Sequence, residues 1–214
     1  SNLIFKRNNS MFLEVSVNVN HSDHLLITGP SGVGKTSLLR CLAHLWPTKD
    51  GSVSMGNLPR GIMFLPQKPY FPVGGLSLKQ QVVFPSHAST INDTEDSRII
   101  SILQSLHLSR LLVLAGDLTG KVDFEWQEQL SPGEQQRLSL ARVFYHQPSL
   151  VVLDEATASL SENAEREVYQ LLRKDNIGYL STGHRSSLFS FHDEVLQLGA
   201  EGTVSTFPTN EIRY

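Results

Sequence analysis

The stretch "HLLITGPSGVGKTSLLRCLAHLW", residues 24–46, decides the fold. It opens with an apolar strand pattern, and residues 29–36 then match the spacing G-x-x-x-x-G-K-[ST]. Glycines in such a loop permit positive φ, so that successive backbone N–H groups can surround a phosphate. The segment after the loop predicts a helix that ends before Pro47, with one apolar stripe formed by Leu38, Leu39, Leu42 and Leu45. The alternative is a glycine-rich turn with a chance lysine, but the flanking strand and helix favour a nucleotide site.

Each part of the loop has a predicted task. Lys35 supplies a positive charge for the β- and γ-phosphates, and the Thr36 hydroxyl can bind Mg²⁺. The N-terminus of the following helix adds the positive end of its dipole. The residues predicted to bind the nucleotide here are Gly29, Pro30, Ser31, Gly32, Val33, Gly34, Lys35, Thr36 and Ser37.

A pair of adjacent carboxylates follows the buried strand pattern "LVVLD". Asp154 can hold Mg²⁺, and Glu155 can polarise a water for attack on a γ-phosphate. Taken alone, an Asp-Glu pair is as often a solvated strand end. The phosphate-binding loop upstream favours the functional interpretation.

Gln67 and His184 each follow a predicted strand of the core. The Gln67 amide could contact both the metal and the attacking water, and a neutral His184 could bond to the γ-phosphate. A single Gln or His in a loop is more often merely solvated. Their position favours function, because the carboxyl ends of parallel strands gather ligands at one edge of a sheet.

Strands and helices alternate along the chain, which predicts an α/β fold with a mostly parallel core sheet. Strand patterns occur at residues 61–65, 150–154 and 177–182, and residues 164–174 predict a helix. The alternation at residues 11–20 indicates an antiparallel β subdomain, and residues 194–207 predict a hairpin that turns at 199–202. Helical spacing replaces strands at about 76–130. We predict an inserted α-helical subdomain there, and a catalytic core formed by residues 1–75 and 131–214.

The stretch "QLSPGEQQRLSLAR", residues 129–142, begins a helix with a capping box. Ser131 is the expected N-cap, and Glu134 stands three residues later. Gly133 is a poor helix former in the first turn. This bare helix start predicts that another group approaches its backbone closely.

The overall composition excludes several classes of function. Eighteen basic and 21 acidic residues give a net charge of −3, which argues against a nucleic-acid partner. Cys41 is the only cysteine, so no intramolecular disulfide is possible. No apolar run approaches the roughly 20 residues needed to cross a bilayer. The chain begins without Met, and we expect any transmembrane part to lie outside this sequence.

The phosphate-binding loop, Gln67, "LSPGEQQ", "LVVLDE" and His184, in this order, resemble the nucleotide-binding domain of an ABC transporter. The resemblance covers essentially the whole chain. "LWPT", "FLPQKPY" and "STGHRSSLFSFHD" are similar to subfamily D, the half-transporters of peroxisomes and lysosomes with plastid and bacterial relatives. The Pro in "LSPGE", where the family usually has Gly, is most similar to the lysosomal cobalamin type.

The resemblance implies an ATPase with an ABC cassette of the P-loop NTPase fold. ATP with Mg²⁺ would lie between the Walker A loop of one chain and the signature helix of a second copy. Gln67 would contact Mg²⁺ and water, Glu155 would be the base and His184 the switch. The signature residues that would meet the partner's γ-phosphate are Ser131, Gly133 and Glu134.

One position departs from the usual pattern of this family, and the residue that would stack on adenine has only one candidate. The loop after Walker B reads Ala158-Ser159-Leu160-Ser161, where the family usually ends in Asp, which puts communication across the dimer in doubt. Phe5 is the candidate for the aromatic residue that stacks on adenine, although a role in an apolar strand is equally consistent.

The resemblance also implies the setting of the reaction. A homodimer of half-transporters would act at the cytosolic face of a lysosomal or peroxisomal membrane, with a transmembrane domain elsewhere in the full-length chain. Cobalamin is the favoured solute, and long-chain acyl-CoA is the alternative within the subfamily. A soluble ABC ATPase and a small-molecule kinase rank behind, because neither the heptad repeats of the chromosomal type nor a second cassette is present, and a kinase needs no signature helix.

Overall fold

The computed structural model describes residues 2–7, 11–16, 22–43, 45–47, 50–51, 58–86, 95–199 and 203–209. For residues 2–7, 11–16 and 50–51 it describes the backbone alone. Its larger sheet contains β3 (His24–Thr28), β5 (Ile62–Leu65), β6 (Leu150–Asp154), β7 (Gly178–Thr182), β8 (Glu194–Leu198) and β9 (Val204–Pro208).

The larger sheet is parallel except at one edge. Its strand order is β5-β6-β7-β3-β8-β9, and β9 alone pairs in the antiparallel direction, with β8. The four strands that precede the predicted site residues, β5, β6, β7 and β3, are therefore neighbours and point the same way. Their carboxyl ends meet along one edge, as a mostly parallel sheet requires.

A second, smaller sheet is antiparallel. It joins β1 (Asn2–Arg7), β2 (Met11–Ser16) and β4 (Asp50–Gly51) in the order β2-β1-β4. This sheet is the predicted antiparallel β subdomain. The strand predicted at residues 11–20 is observed up to Ser16, and residues 17–20 lie outside the described residues.

Seven α-helices occur in the described part of the chain. They are α1 (Lys35–Leu42), α2 (Leu78–Val83), α3 (Asp96–Ser105), α4 (Ser109–Ala115), α5 (Trp126–Gln129), α6 (Pro132–His146) and α7 (Glu162–Lys174). A 3₁₀ helix covers Ser186–Phe191. The described residues between 76 and 130 form four of the α-helices and no strand.

The core lies on both faces of the larger sheet, because successive strand residues point in opposite directions. Leu25 and Ile27 pack with α1 on one face, and Leu26 belongs to the cluster on the other face. Each fully buried Leu or Ile contributes about 1.5–3 kcal/mol by removing apolar surface from water. Cys41 is fully buried within the α1 cluster.

Two helices differ in extent from their apolar pattern. α1 ends at Leu42, and Leu45, predicted to continue its buried stripe, is 56% exposed; that part of the prediction is wrong. The helical spacing around residues 97–114 is divided into α3 and α4 by His107, whose φ is +55°. The turn buries both Leu106 and Leu108. Residues two apart lie on opposite sides of a helix, so a continuous helix could not bury both.

The predicted hairpin is observed as β8 and β9, and residues 200–202 of its turn lie outside the described residues.

Candidate functional site

The loop between β3 and α1 has a backbone that only glycine suits at two positions. Gly29 has φ +142°, and a Cβ there would lie 2.2 Å from the Leu198 carbonyl oxygen. Gly34 has φ +109° immediately before α1. The loop therefore passes close to β8 and turns its backbone toward the start of the helix, as a phosphate cradle requires.

Lys35 is held over this loop. Its Nζ donates hydrogen bonds to the carbonyl oxygens of Gly29, at 2.8 Å, and Pro30, at 3.0 Å. Burial lowers the pKa of Lys35 below its ordinary value, and the nearby carboxylates of Glu155 and Asp154 oppose that shift. The ammonium group is thus held beside the loop.

Asp154 joins three elements at the end of β6. Its Oδ1 accepts hydrogen bonds from the hydroxyl of Thr36, at 2.9 Å, and from the hydroxyl of Thr182, at 3.1 Å. The Asp154 side chain is buried, with 3% of the residue exposed. Two of the three residues predicted to bind metal, Thr36 and Asp154, therefore contact each other directly, whereas the third, Gln67, bonds to Glu155.

These donors fit Mg²⁺. Hydroxyl and carboxylate oxygens are the hard ligands that this ion prefers, and proteins usually supply only one or two of its six ligands. Within the described residues, no group of three or more His, Cys, Asp and Glu side chains could enclose a metal. Thr36 and Asp154 would supply two oxygen ligands, and water and phosphate oxygens would supply the others.

Glu155 lies between the two other predicted residues. Gln67 Nε2 donates a 2.7 Å hydrogen bond to its Oε2, and His184 Nε2 lies 3.1 Å from its Oε1. The Glu155 backbone has φ +49°, the left-handed region that non-glycine residues rarely adopt. Gln67 and His184, which lie 88 and 29 positions from Glu155 in the sequence, thus form one cluster with it.

The start of α6 has the predicted capping box. Ser131 Oγ accepts from the Glu134 N–H at 3.3 Å, and Glu134 Oε2 accepts from the Ser131 N–H at 3.0 Å. The Glu134 carboxylate also forms an ion pair with Arg110 of α4, with 2.7 Å between Oε1 and the guanidinium. Burial favours a higher pKa for Glu134, but the bonds from Ser131 and Arg110 outweigh it and lower the pKa.

Gly133 faces the loop after β6. A Cβ on it would lie 3.3 Å from the Ser159 carbonyl oxygen. In the part of the chain that the structure describes, the hydrogen bonds of the Ser131 and Glu134 side chains stay at the helix start and with Arg110. None of them joins the Lys35 loop. Contact of Ser131, Gly133 and Glu134 with a nucleotide remains a prediction.

Three further residues at the site were not predicted from the sequence. Thr182 bonds to both Asp154 and Glu155, and Gln136 of α6 donates to the Glu155 carbonyl oxygen at 3.3 Å. Arg185 donates to the carbonyl oxygens of Ala158 and Leu160, at 2.9 and 2.8 Å. Thr182 could have been found, because it ends a core strand, as Asp154 does. Gln136 and Arg185 carry no such signal.

Two uncertain positions have different outcomes. Ser161, where the resemblance implies Asp, is the N-cap of α7, and its Oγ accepts from the Ala164 N–H at 3.3 Å. Ser therefore caps this helix as Asp could. The backbone of Phe5 pairs with Leu13 in the smaller sheet, but its side chain lies outside the described residues. Its role in stacking on adenine remains a prediction.

None of the helices in the described ranges is long and apolar enough to cross a bilayer.

Comparisons with known proteins indicate the family. The family model described as ABC transporter matches residues 12–158. The lysosomal cobalamin transporter ABCD4 of Mus musculus is 44% identical over 194 residues, which cover 89% of this chain and 32% of that protein. The Homo sapiens protein of the same name is also 44% identical, over 88% of this chain and 32% of that protein. The chain thus spans about a third of the length of these relatives.

Solved structures support the fold. The inward-facing conformation of an ABC transporter superposes with a TM-score of 0.75 at 22% identity, covering 99% of this chain and 82% of the other. These matches confirm the resemblance to subfamily D, the predicted fold class and the prediction of an ATPase domain.

Proposed function

Because the chain belongs to the ABC transporter family, we propose that it is the domain that binds and hydrolyses ATP to drive solute transport across an organelle membrane. The observation that carries the proposal is the convergence of Gln67, Glu155 and His184 beside Asp154 and Thr36. Five predicted residues from four strand ends meet at one edge of the sheet.

The arrangement divides the work of hydrolysis. Residues 29–37 bind the phosphates, with Lys35 beside the loop. Glu155 accepts a proton from the attacking water, and Gln67 and His184 hold the carboxylate and orient that water. As the water oxygen bonds to the γ-phosphorus, the bond to ADP breaks and its electron pair remains on ADP. Mg²⁺ bound by Thr36 and Asp154, with Gln67 near its water shell, would neutralise phosphate charge.

We propose a head-to-tail dimer as the active assembly. The signature residues Ser131, Gly133 and Glu134 make no side-chain hydrogen bond to the Lys35 loop among the described residues. Ser131 is exposed at the helix start, so the γ-phosphate of a second copy is a suitable ligand for this surface. We also propose a division into a core, residues 1–75 and 131–214, and a helical subdomain at about 76–130. The signature residues then begin the second part of the core, directly after the helical subdomain.

The transmembrane domain would dock on exposed apolar side chains. Tyr70 and Val73, in the segment between β5 and α2, are 59% and 73% exposed, and Leu45 and Trp46 after α1 are also exposed. Large apolar side chains at the surface favour a protein partner. Because Tyr70 and Val73 lie on the same segment as Gln67, a partner docked on them could move the Gln67 side chain.

Cobalamin is the solute we propose, at the lysosomal membrane. The support is the 44% identity with two proteins named lysosomal cobalamin transporter. Purified full-length protein in liposomes should show ATPase stimulation by cobalamin and none by long-chain acyl-CoA. The reverse pattern would assign the chain to the acyl-CoA transporters and a peroxisomal membrane.

Glu155→Gln tests the ATPase proposal. The amide cannot accept the proton, so we expect ATP binding within about threefold of the wild type and turnover reduced by about 10²–10⁴. The matched control is Glu128→Gln, which changes an exposed carboxylate of α5. Undiminished turnover in Glu155→Gln would refute Glu155 as the base.

Ser131→Arg tests the dimer. A bulky cation at the exposed helix start should leave the ATP affinity of the monomer within about threefold and abolish ATP-dependent dimerisation. Both quantities can be followed by nucleotide titration and analytical ultracentrifugation. An equal loss of monomer affinity would instead mean that the signature binds its own ATP.

A further inference from the structure

We propose that Thr182 is a positioning residue for Glu155, an inference that rests on the proposed ATPase function. Its hydroxyl lies between two groups of the site: it accepts from the Glu155 N–H at 3.0 Å and donates to Asp154 Oδ1 at 3.1 Å. Thr182 is 3% exposed, so water cannot readily replace either bond. One hydroxyl therefore fixes the backbone of the base and the carboxylate predicted to bind metal.

The position follows from strand register. β6 and β7 are parallel, and Asp154 is the register partner of Thr182 at their last residues. Glu155 is the first residue past that end, and its φ of +49° turns the chain out of the sheet. Because regular pairing stops there, the Thr182 side chain takes the Glu155 N–H that the ladder no longer serves.

The turned backbone needs this support. A non-glycine residue in the left-handed region is about 1–2 kcal/mol less stable than in the right-handed one. The Glu155 carbonyl oxygen is held by the N–H of Ala158 at 3.1 Å and by Gln136 Nε2 at 3.3 Å. The Thr182 hydroxyl holds the other end of the residue, its backbone N–H. Loss of its hydroxyl would free the N–H end, so that the carboxylate could leave Gln67 and His184.

The neighbouring hydroxyl on the same strand supplies a matched control. Ser181 is fully buried, and its Oγ accepts a 3.1 Å hydrogen bond from the Tyr169 hydroxyl of α7. Its side chain points to the opposite face of the sheet from that of Thr182. Ser181→Ala therefore removes a buried hydroxyl from β7 without touching the site.

The experiment compares Thr182→Val, Thr182→Ser and Ser181→Ala in the full chain. Thr182 lines a cavity of about 130 Å³ together with Glu155 and His184, and valine keeps the shape of threonine there. For Thr182→Val we expect kcat to fall about tenfold or more while the KM for ATP changes less than about threefold, since the phosphate loop is intact. Thr182→Ser, which keeps the hydroxyl, should retain kcat within about threefold.

A second measurement does not depend on turnover. The ring resonances of His184 in nucleotide-free protein should shift in Thr182→Val and stay unchanged in Ser181→Ala, because only the first variant releases the Glu155 carboxylate. If Thr182→Val does not fold, Thr182→Ala supplies the same deletion with a smaller side chain.

Three results would overturn the proposal: wild-type kcat in Thr182→Val, a loss in Thr182→Ser as large as in Thr182→Val, or an equal loss in Ser181→Ala. A wild-type chain without ATPase activity would count against the proposed function instead. The His184 resonances would then still decide whether Thr182 positions Glu155.

Discussion

Acid should destabilise this fold through one buried imidazole. His192 is 2% exposed, its Nδ1 lies 2.7 Å from the Leu188 carbonyl oxygen, and its Nε2 has no hydrogen-bond partner among the residues that the structure describes. Burial lowers the pKa of His192 from 6.5 to about 3, with the bond to Leu188 opposing the shift and nearby His24 and Arg173 adding to it. The folded protein therefore keeps this ring neutral while the unfolded chain protonates it.

The sign and size follow from proton linkage. Between pH 6.5 and about 3 the unfolded state binds more protons at this group, so the free energy of unfolding falls as the pH falls. Each pH unit in this window removes about 1.4 kcal/mol, so the loss at pH 5 is about 2 kcal/mol. Burial also lowers the pKa of His24, which adds a loss of the same sign. The pKa of Asp193 is also lowered, but the stability that this carboxylate contributes is lost only as the pH falls to about its ordinary pKa of 3.8 and below.

Urea unfolding at constant salt from pH 7.5 to pH 5 measures the effect, with fluorescence of buried Trp126 as the signal. His192→Gln cannot titrate, so its stability should fall about 2 kcal/mol less than that of the wild type over this range. His107→Gln, which removes an exposed ring, is the control and should follow the wild type. Equal slopes for His192→Gln and the wild type would refute the reasoning.

Two further substitutions test the framework of the site. Gly29→Ala places a Cβ 2.2 Å from the Leu198 carbonyl oxygen, so calorimetry should show that the free energy of unfolding falls by about 3 kcal/mol or more, and ATP binding should be lost. The control Gly116→Ala, which has positive φ but open space around the added Cβ, should lower it by about 1 kcal/mol. Similar losses of stability in both variants would contradict the steric argument. Arg142→Gln removes donors to the buried carbonyl oxygen of Gln81 and the partly buried one of Tyr70, and should lower the free energy of unfolding by about 2–4 kcal/mol in chemical denaturation. The exposed control Arg166→Gln should lower it by less than about 0.5 kcal/mol. An unchanged midpoint for Arg142→Gln would show that these carbonyl oxygens find other partners.

The parts of the fold that depend on local pattern could be predicted from sequence. The strand, loop and helix around Lys35 follow from apolar runs interrupted by glycine, and the strand ends place Asp154 and Glu155. Because parallel strands share one edge, the sequence also predicts that Gln67 and His184 approach them. The contacts of both side chains with Glu155 are consistent with that expectation.

The remaining features depend on packing between distant segments. Leu45 has the spacing of a buried helix residue, but the helix ends before it, so its apolar character does not determine its burial. Thr182 can be recognised in the sequence as a strand end, but its contacts with Asp154 and Glu155 follow only from the register of the two strands. The left-handed backbone conformation of Glu155 likewise could not be predicted, since no neighbouring residue in the sequence requires a positive φ there.

The ion pair at the start of α6 has an electrostatic consequence. Glu134 alone would place a negative charge where the helix offers its positive end, and would repel an incoming phosphate. Arg110 pairs with that carboxylate and neutralises its charge. An approaching anion is then attracted by the positive end of the helix dipole without repulsion from Glu134. Because Arg110 is 57% exposed, salt screens the pair. Ionic strength would therefore tune how readily this surface receives an anion.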